Sequence, residues 1–166
     1  MAVAAVDPRA AELIRKLNLL PHPEGGFYRE VYRSPALVHP VDGRDQRAAL
    51  TTIYFLLPAG EKSRWHRVRS DEIWHYYEGA PLELLQLAAS GAQVERITLG
   101  RLEEGGVPVH CVPPDHWQAA RSTGAYTLVG CTVGPGFEFA DFEMLRDQPE
   151  LAAGLERTAP GVIEFL

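Results

Sequence analysis

Short stretches of β-forming residues follow one another through most of this chain, separated by turns rich in Gly, Pro and Asp. In FYREVYR (27–33), aromatic and β-branched residues recur with a period of two, as in a half-buried strand. Further strands are predicted in ALTTIYFLLP (49–58) and at 63–68, 72–78, 82–88, 92–99, 107–112, 116–121 and 125–133. Many short strands with no helix between them predict an antiparallel sandwich or barrel.

Helix signals occur only at the two ends of the chain. Asp7-Pro8 is typical of a helix start, Leu13, Ile14 and Leu17 then recur at helical spacing, and Asn18 can end the helix. DQPELAAGLERTAP near the C-terminus predicts a second short helix. We therefore expect a single domain over 1–166, with an N-terminal helix in 1–18, a β-roll in 19–145 and a C-terminal helix and tail in 146–166.

Composition excludes some functions. The net charge is −6, without the basic stripe that nucleic-acid binding requires. No apolar run is long enough to span a bilayer, and MAVAAVDPRA does not resemble a secretory signal. The two cysteines are too few for a disulfide framework. We expect a cytoplasmic protein that binds neither nucleic acid nor membranes.

The segment GEKSRWHRVRSDEIWHYYEG (60–79) carries unusually many titratable groups for a strand-forming stretch. Strand alternation on either side of the RSD turn allows His66 and Glu72 to share one face. An imidazole and a carboxylate that converge inside a barrel make either a metal site or an acid–base pair. We therefore predict His66 and Glu72 as catalytic residues.

The spacing of this segment resembles the first motif of the cupin superfamily. That motif runs Gly, five residues, His-x-His, three or four residues, Glu, six residues, Gly; here Gly60, His66, Glu72 and Gly79 match it. The second cupin motif, Pro-x-Gly-x-x-His, is expected where this chain has VPPDHWQAA (112–120).

Four longer segments strengthen the resemblance: HPEGGFYRE, IYFLL, SDEIWHYYEG and VGCTVGPGFEFADFE. Together they resemble the cupin-5 branch, whose structures are similar to those of the sugar-nucleotide epimerase cupins. The resemblance implies an all-β fold, the double-stranded β-helix or cupin jelly roll, with short N- and C-terminal helices. It also implies that metal-free proton abstraction by a histidine is one chemistry to consider.

Metal cupins use three His and one Glu, and this chain departs from that set. The matching positions hold His66, Val68, Glu72 and Gln118, and Val68 has no donor atom. His66, Glu72 and Gln118 are the candidate ligands of a divalent metal, although Gln118 offers only a neutral amide oxygen. We expect no cofactor, with a divalent metal as the alternative.

Other residues are candidates for contacts with a small-molecule ligand. Glu24 and Tyr28 flank the paired glycines of HPEGGFYRE, which we expect to fold across the barrel mouth. Arg64 is expected on the face of His66, where it would meet an anionic group, and Trp74 and Tyr76 on the face of Glu72. The remaining candidates are Gln86, His116 and Gln118.

Three functions stay open at this stage. The first is a metal-free epimerase-like isomerase acting on a carbohydrate-like or other polar metabolite by His/Glu acid–base chemistry. The second is a metal-dependent cupin oxygenase or isomerase, and the third is a non-catalytic ligand-binding or structural cupin. We also expect a homodimer, because the strand at 27–33 offers unpaired backbone groups at a sheet edge.

Overall fold

The computed structural model of the protein describes residues 6–90 and 93–166. Strands dominate these residues. They are β1 (Leu20–Pro21), β2 (Phe27–Arg33), β3 (Leu37–Val38), β4 (Arg47–Ala48), β5 (Thr51–Pro58), β6 (Lys62–Arg67), β7 (Asp71–Gly79), β8 (Leu82–Leu87), β9 (Val94–Leu99), β10 (Val109–Val112), β11 (Trp117–Ser122), β12 (Tyr126–Gly134) and β13 (Glu143–Met144). The helices are α1 (Pro8–Lys16) and α2 (Pro149–Thr158), with 3₁₀ turns at Leu102–Glu104, Phe139–Asp141, Leu145–Asp147 and Pro160–Phe165.

The strands form two large antiparallel sheets and one small one. The first has the order β1-β2-β5-β12-β7-β10, the second β13-β6-β11-β8-β9, and β3 pairs with β4. Sequence neighbours such as β5 and β6 lie in different sheets, as expected for a jelly roll. The predicted all-β jelly roll with short terminal helices is confirmed. The predicted strand at 92–99 begins at Val94, and residue 92 lies outside the described residues. Residues 1–5, which belong to the segment compared with a secretory signal, also lie outside them.

Each of the two large sheets carries a helix on its outer face. Asp7 caps α1 by accepting hydrogen bonds from the backbone of Arg9 and Ala10, and α1 buries its apolar side against Leu56 and Leu128 of the six-stranded sheet. At the other end of the chain, α2 and the final 3₁₀ turn cover the outer face of the five-stranded sheet. None of the described helices is both long and apolar enough to cross a membrane, and the location of the protein in the cell stays a prediction.

Only part of the space between the sheets is filled by apolar packing. Trp74 lies there, almost fully buried, with its ring edge-to-face on Phe55 at 6.0 Å between centroids. Leu84, Val129 and neighbouring apolar side chains complete this packed half. The other half of the barrel is open, and the candidate site lies in it.

Candidate functional site

A cavity of about 370 Å³ occupies the unfilled end of the barrel. Its deep residues are titratable: His22, Glu24, His66 and Glu72. Its walls are aromatic and aliphatic: Tyr28, Ile53, Phe55, Val68, Val133, Phe137, Phe139 and Phe142. Pockets of this size with few, well-placed polar groups are typical of small-molecule sites.

Glu24 reaches the cavity through the glycine loop of HPEGG. Gly25 has a φ of +111°, a backbone conformation that favours glycine, and a Cβ there would overlap the Lys62 carbonyl oxygen. The backbone of β6 holds the loop in place, since the Arg64 N–H donates to the Glu24 carbonyl oxygen at 2.9 Å. The close approach of loop and strand directs the Glu24 side chain into the barrel, where its carboxyl group is buried.

Glu24 and His66 form the central pair of the site. The His66 Nε2 lies 3.1 Å from Glu24 Oε2, and Ser63 donates to Glu24 Oε1 at 2.6 Å. The other ring nitrogen of His66, Nδ1, lies 2.7 Å from the Arg64 carbonyl oxygen, to which it must donate because a carbonyl only accepts. His66 therefore has a fixed orientation, and one proton is shared between its Nε2 and the Glu24 carboxyl group.

Burial decides on which partner this proton rests. It raises the pKa of Glu24 to about 8, against a smaller opposing effect of the Ser63 hydrogen bond. Burial also lowers the pKa of His66, and the nearby Glu72 carboxylate opposes that shift. Both pKa shifts place the proton on Glu24 and leave the His66 imidazole neutral at neutral pH. A carboxyl group that keeps its proton at neutral pH beside an oriented imidazole can pass that proton to a ligand.

Glu72 lines the same cavity but has a different partner from the one predicted. We expected Glu72 to pair with His66; instead its Oε2 accepts a hydrogen bond from Gln118 Nε2. Gln118 is fully buried and lies directly across from His66 in the register of β6 and β11. Burial raises the pKa of Glu72, with a smaller opposing contribution from His66. The site therefore contains two separate acid–base units, the Glu24–His66 pair and Glu72.

The hydrogen bonds of Gln118 bear on the predicted metal site. Its Oε1 accepts from the Trp74 indole N–H at 2.8 Å, which fixes the amide orientation because the indole only donates. One lone pair of the oxygen that would bind a metal is thus occupied, and the amide NH₂ donates to Glu72, which makes Gln118 a poor ligand. Over residues 6–90 and 93–166, no three His, Cys, Asp or Glu side chains are grouped to hold a metal ion.

A loop between β12 and β13 supplies the aromatic wall. Arg33 holds it at the mouth, with Nη1 donating to Glu138 at 2.9 Å and two further nitrogens donating to Glu30. Deeper in the protein, the Asp141 carboxylate is ion-paired with the buried side chains of Arg44 and Arg47. This anchoring keeps the loop's phenylalanines against the cavity.

The phenylalanines of this loop contact both cavity histidines. Phe142 stacks on His66, with 5.4 Å between centroids and 27° between planes. Phe139 stacks on His22 at 6.4 Å and is itself half exposed at the mouth. The histidines therefore sit in largely apolar surroundings, which explains why burial dominates their pKa shifts.

Of the ligand contacts predicted from the sequence, Glu24 and Tyr28 line the cavity and Arg64 does not. The prediction for Arg64 assumed regular alternation, but the pairing of β6 with β11 shifts register between His66 and Ser63. This bulge turns Ser63 inward beside His66 and leaves Arg64 outside, where its guanidinium donates to the Glu24 carbonyl oxygen.

Trp74 and Tyr76 share the inward face of β7 with Glu72, as predicted, yet neither lines the cavity. They belong to the packed half of the barrel, and the Tyr76 hydroxyl donates to the Gly79 carbonyl. Gln86 is buried away from the cavity, 2.8 Å from His110 Nε2. His116 precedes β11 in a turn after Asp115, whose φ is +62°, so it does not follow the strand alternation that would have turned it inward.

Three contributors to the site, His22, Ser63 and Phe142, are not among the residues predicted from the sequence. The density of polar residues beside the paired glycines was a usable signal for His22. No sequence signal placed Ser63, because its inward direction depends on the bulge.

The chain resembles known proteins over most of its length. The sequence model of the family Cupin_5, described as Cupin superfamily (DUF985), matches residues 11–145. A hypothetical protein from Leishmania major is 34% identical, with 93% of this chain and 94% of that chain covered and a TM-score of 0.80. The X-ray structure of a Shewanella oneidensis protein is also 34% identical, covering 95% and 96%, with a TM-score of 0.83.

More distant structures share the fold alone. A dTDP sugar isomerase from Desulfovibrio desulfuricans is 12% identical, with 76% of this chain and 85% of that chain covered and a TM-score of 0.52. No curated protein matches the chain.

Proposed function

The chain belongs to the Cupin_5 family of the cupin superfamily, and we propose that within this family it is a small-molecule enzyme of the epimerase or isomerase type. The observation that carries the proposal is the Glu24–His66 pair, buried in the same cavity as Glu72. An epimerase or isomerase must take a proton from one position of its ligand and return one to another position or face. Two acid–base units beside one cavity suit that requirement.

The proton transfer balances without a co-reactant. Ionised Glu72 takes a proton from a carbon next to a carbonyl group, and the C–H electron pair moves into that carbonyl to give an enolate. The Glu24–His66 pair then gives its shared proton to carbon, and the electron pair returns from oxygen to form the new C–H bond. Afterwards Glu72 carries one proton more and the pair one fewer, and exchange with solvent restores both.

The buried surroundings shift the pKa values of both acid–base units toward neutral pH. General acid–base catalysis is most efficient when the pKa of the group lies near the working pH. The pKa of Glu24, raised to about 8, and the raised pKa of Glu72 move in that direction. An exposed carboxyl group, with a pKa of about 4, would be a weaker acid–base catalyst at neutral pH.

Hydrogen–deuterium exchange tests the proposal. Purified protein in D₂O is incubated with dihydroxyacetone, glyceraldehyde, cyclohexanone or acetophenone, and NMR follows deuterium uptake at the carbon next to the carbonyl. We expect the wild type to accelerate uptake for at least one of these compounds. The variants E24Q and H66Q should each lower that rate by about 100-fold or more. H116Q, which changes a histidine outside the cavity, should leave the rate unchanged.

The two alternatives give different results. A non-catalytic cupin would bind ligands without accelerating exchange into any of them. A metal-dependent enzyme would lose its exchange activity on dialysis against a chelator and regain it with one metal per chain. Either result would overturn the metal-free proposal.

We further propose that the protein is a homodimer formed through the edge of the six-stranded sheet. β1 pairs with β2 only at Phe27 and Tyr28, so the rest of β2 lacks a neighbour on that side among the described strands. Val31 and Tyr32 on this stretch are exposed. Light scattering at micromolar concentration should give the mass of two chains, and a monomer mass would contradict the proposal.

A further inference from the structure

His22 has an unused hydrogen-bond donor in the cavity. Its side chain is only 7% exposed, and Tyr28 and Phe55 contact its ring edge-on. Among the described residues, its Nε2 has no hydrogen-bond partner. The fully buried side-chain atoms that lack a hydrogen bond there are Trp117 Nε1 and Glu83 Oε2, the latter ion-paired with Arg121. His22 Nε2 is not among these enclosed atoms, so it faces the cavity space that His22 lines.

The backbone fixes the protonation state of this ring. The Glu24 backbone N–H donates to His22 Nδ1 at 3.2 Å, so Nδ1 must carry a lone pair. The proton of the neutral ring is then on Nε2, and His22 presents an N–H donor to the cavity. Burial and the neighbouring His66 lower the pKa of His22 to about 3, which keeps the ring neutral over the working pH range.

No positive charge lies deep in the cavity to attract an anion. The Glu24–His66 pair shares one proton and is neutral overall, wherever that proton rests. Glu72 is neutral or negative. The cationic lining residues are the exposed Arg29, which donates to a backbone carbonyl, and Arg33, which is paired with two glutamates. Burying an anion here would cost several kcal/mol, with only the neutral His22 donor to offset it.

The walls favour a flat, apolar ligand body. Five aromatic rings, those of Tyr28, Phe55, Phe137, Phe139 and Phe142, line the cavity. Its volume of about 370 Å³ is near the small end of the ~300–1,000 Å³ that ligand pockets span. An ammonium ion could also contact aromatic faces, but it has no acceptor for the His22 donor.

We infer that the cavity binds a small, uncharged carbonyl compound with a flat apolar body, and that His22 is a further catalytic residue, donating from Nε2 to the carbonyl oxygen. The inference rests on the proposed function for the reaction. It adds the substrate class and the group that binds the oxygen. When a proton leaves the neighbouring carbon, negative charge develops on that oxygen, and the His22 hydrogen bond becomes stronger and stabilises it.

Equilibrium binding of four one-ring probes tests the inference on the full chain. Acetophenone carries the carbonyl, α-methylstyrene replaces its oxygen with CH₂, benzoate is anionic, and benzyltrimethylammonium is cationic. Dissociation constants are measured by NMR titration for the wild type and for H22F, which keeps an aromatic ring but has no donor. H75F, on the opposite face of β7, is the matched control.

We expect acetophenone to bind the wild type at least about tenfold more tightly than either charged probe. H22F should weaken acetophenone about 2- to 10-fold, the value of one neutral hydrogen bond, and leave α-methylstyrene unchanged. H75F should change neither. In the ¹⁵N spectrum of the histidine-labelled wild type, His22 should show a protonated Nε2 and a bare Nδ1, and acetophenone should shift the Nε2 signal.

Several results would overturn the inference: tighter binding of a charged probe, equal losses for acetophenone and α-methylstyrene in H22F, no binding of any probe, or a His22 proton on Nδ1. The binding and ¹⁵N measurements do not depend on proton transfer between the protein and the probe. A protein that binds acetophenone through His22 but never exchanges its protons contradicts the proposed function alone. Exchange that is independent of His22 contradicts the inference alone.

Discussion

Replacing Glu24 with glutamine tests where the proton of the buried pair lies. Glutamine has the shape of a protonated glutamate: its oxygen can accept from Ser63 and its NH₂ can donate to His66 Nε2. It cannot ionise. If Glu24 holds its proton in the folded protein, E24Q should lose only the pH dependence that this carboxyl group gives to the free energy of unfolding.

The size of the effect follows from the two pKa values of Glu24. Burial raises the folded value to about 8, whereas an unfolded glutamate titrates near ~4.3. The stabilising contribution of the Glu24 carboxyl group is fully present below its pKa in the unfolded chain. It is lost as the pH rises through its pKa in the folded protein. Over that range the folded protein holds one proton more, and each pH unit lowers the free energy of unfolding by about 1.4 kcal/mol.

The interval from about pH 6.5 to about 8 isolates this contribution. His22 and His66, whose pKa values are lowered, act mainly below the ordinary histidine pKa of ~6.5. Glu72 titrates in both proteins; burial is the largest cause of its raised pKa and the charge of Glu24 a smaller one, so most of its contribution cancels in their difference. Over these ~1.5 pH units the wild type should lose about 2 kcal/mol relative to E24Q.

Urea unfolding, followed by tryptophan fluorescence at several pH values in this interval, measures the difference. We expect the stability of E24Q to rise steadily relative to wild type, by about 2 kcal/mol in total. E61Q removes an exposed carboxyl group from the same region and should give no such trend. A difference between E24Q and wild type that is the same at every pH would refute the assignment of the proton to Glu24.

Two further substitutions test how the site is held. G25A should destabilise the protein by about 2–4 kcal/mol, because its φ is positive and its methyl group would overlap the neighbouring strand. G43A, with a positive φ but open space around it, should cost less in the same thermal or urea unfolding. D141A leaves the buried Arg47 without its carboxylate, whereas Arg44 keeps its ion pair with Asp42, and should cost about 3 kcal/mol, measured by urea unfolding. An effect below about 1 kcal/mol would mean that the loop is held by its phenylalanines instead.

Strand alternation predicted most of the fold because it reports directly on which side chains are buried. The predicted strands at 63–68, 72–78, 82–88, 107–112, 116–121 and 125–133 begin and end within two residues of those in the structure. The four two-residue strands β1, β3, β4 and β13 were not predicted, since a segment that short shows no period. The helix at Pro8–Lys16 was predicted by its cap and its first-turn proline.

Alternation predicted the inward direction of a side chain but not its depth in the barrel. His66 and Glu72 line the cavity as expected, whereas Trp74, two residues further along the face of Glu72, lies in the packed half. A single bulge in β6 was enough to exchange Arg64 for Ser63 on the inner face. Such a bulge depends on contacts between distant strands, and the local pattern does not report it.

The partner of His66 was misassigned for a related reason, and the true partner strengthens the case for function. Glu24 comes from a loop 39 residues before Ser63, and no local period connects the two. Replacing a buried pair of titratable side chains with apolar ones of the same volume is often neutral or stabilising, so such a pair is weak evidence of a role in stability. The barrel nevertheless positions this pair with a serine, a backbone carbonyl and a glycine loop that admits no side chain. Stability alone does not account for that arrangement, whereas proton transfer to a bound ligand requires an oriented acid–base pair that water does not surround.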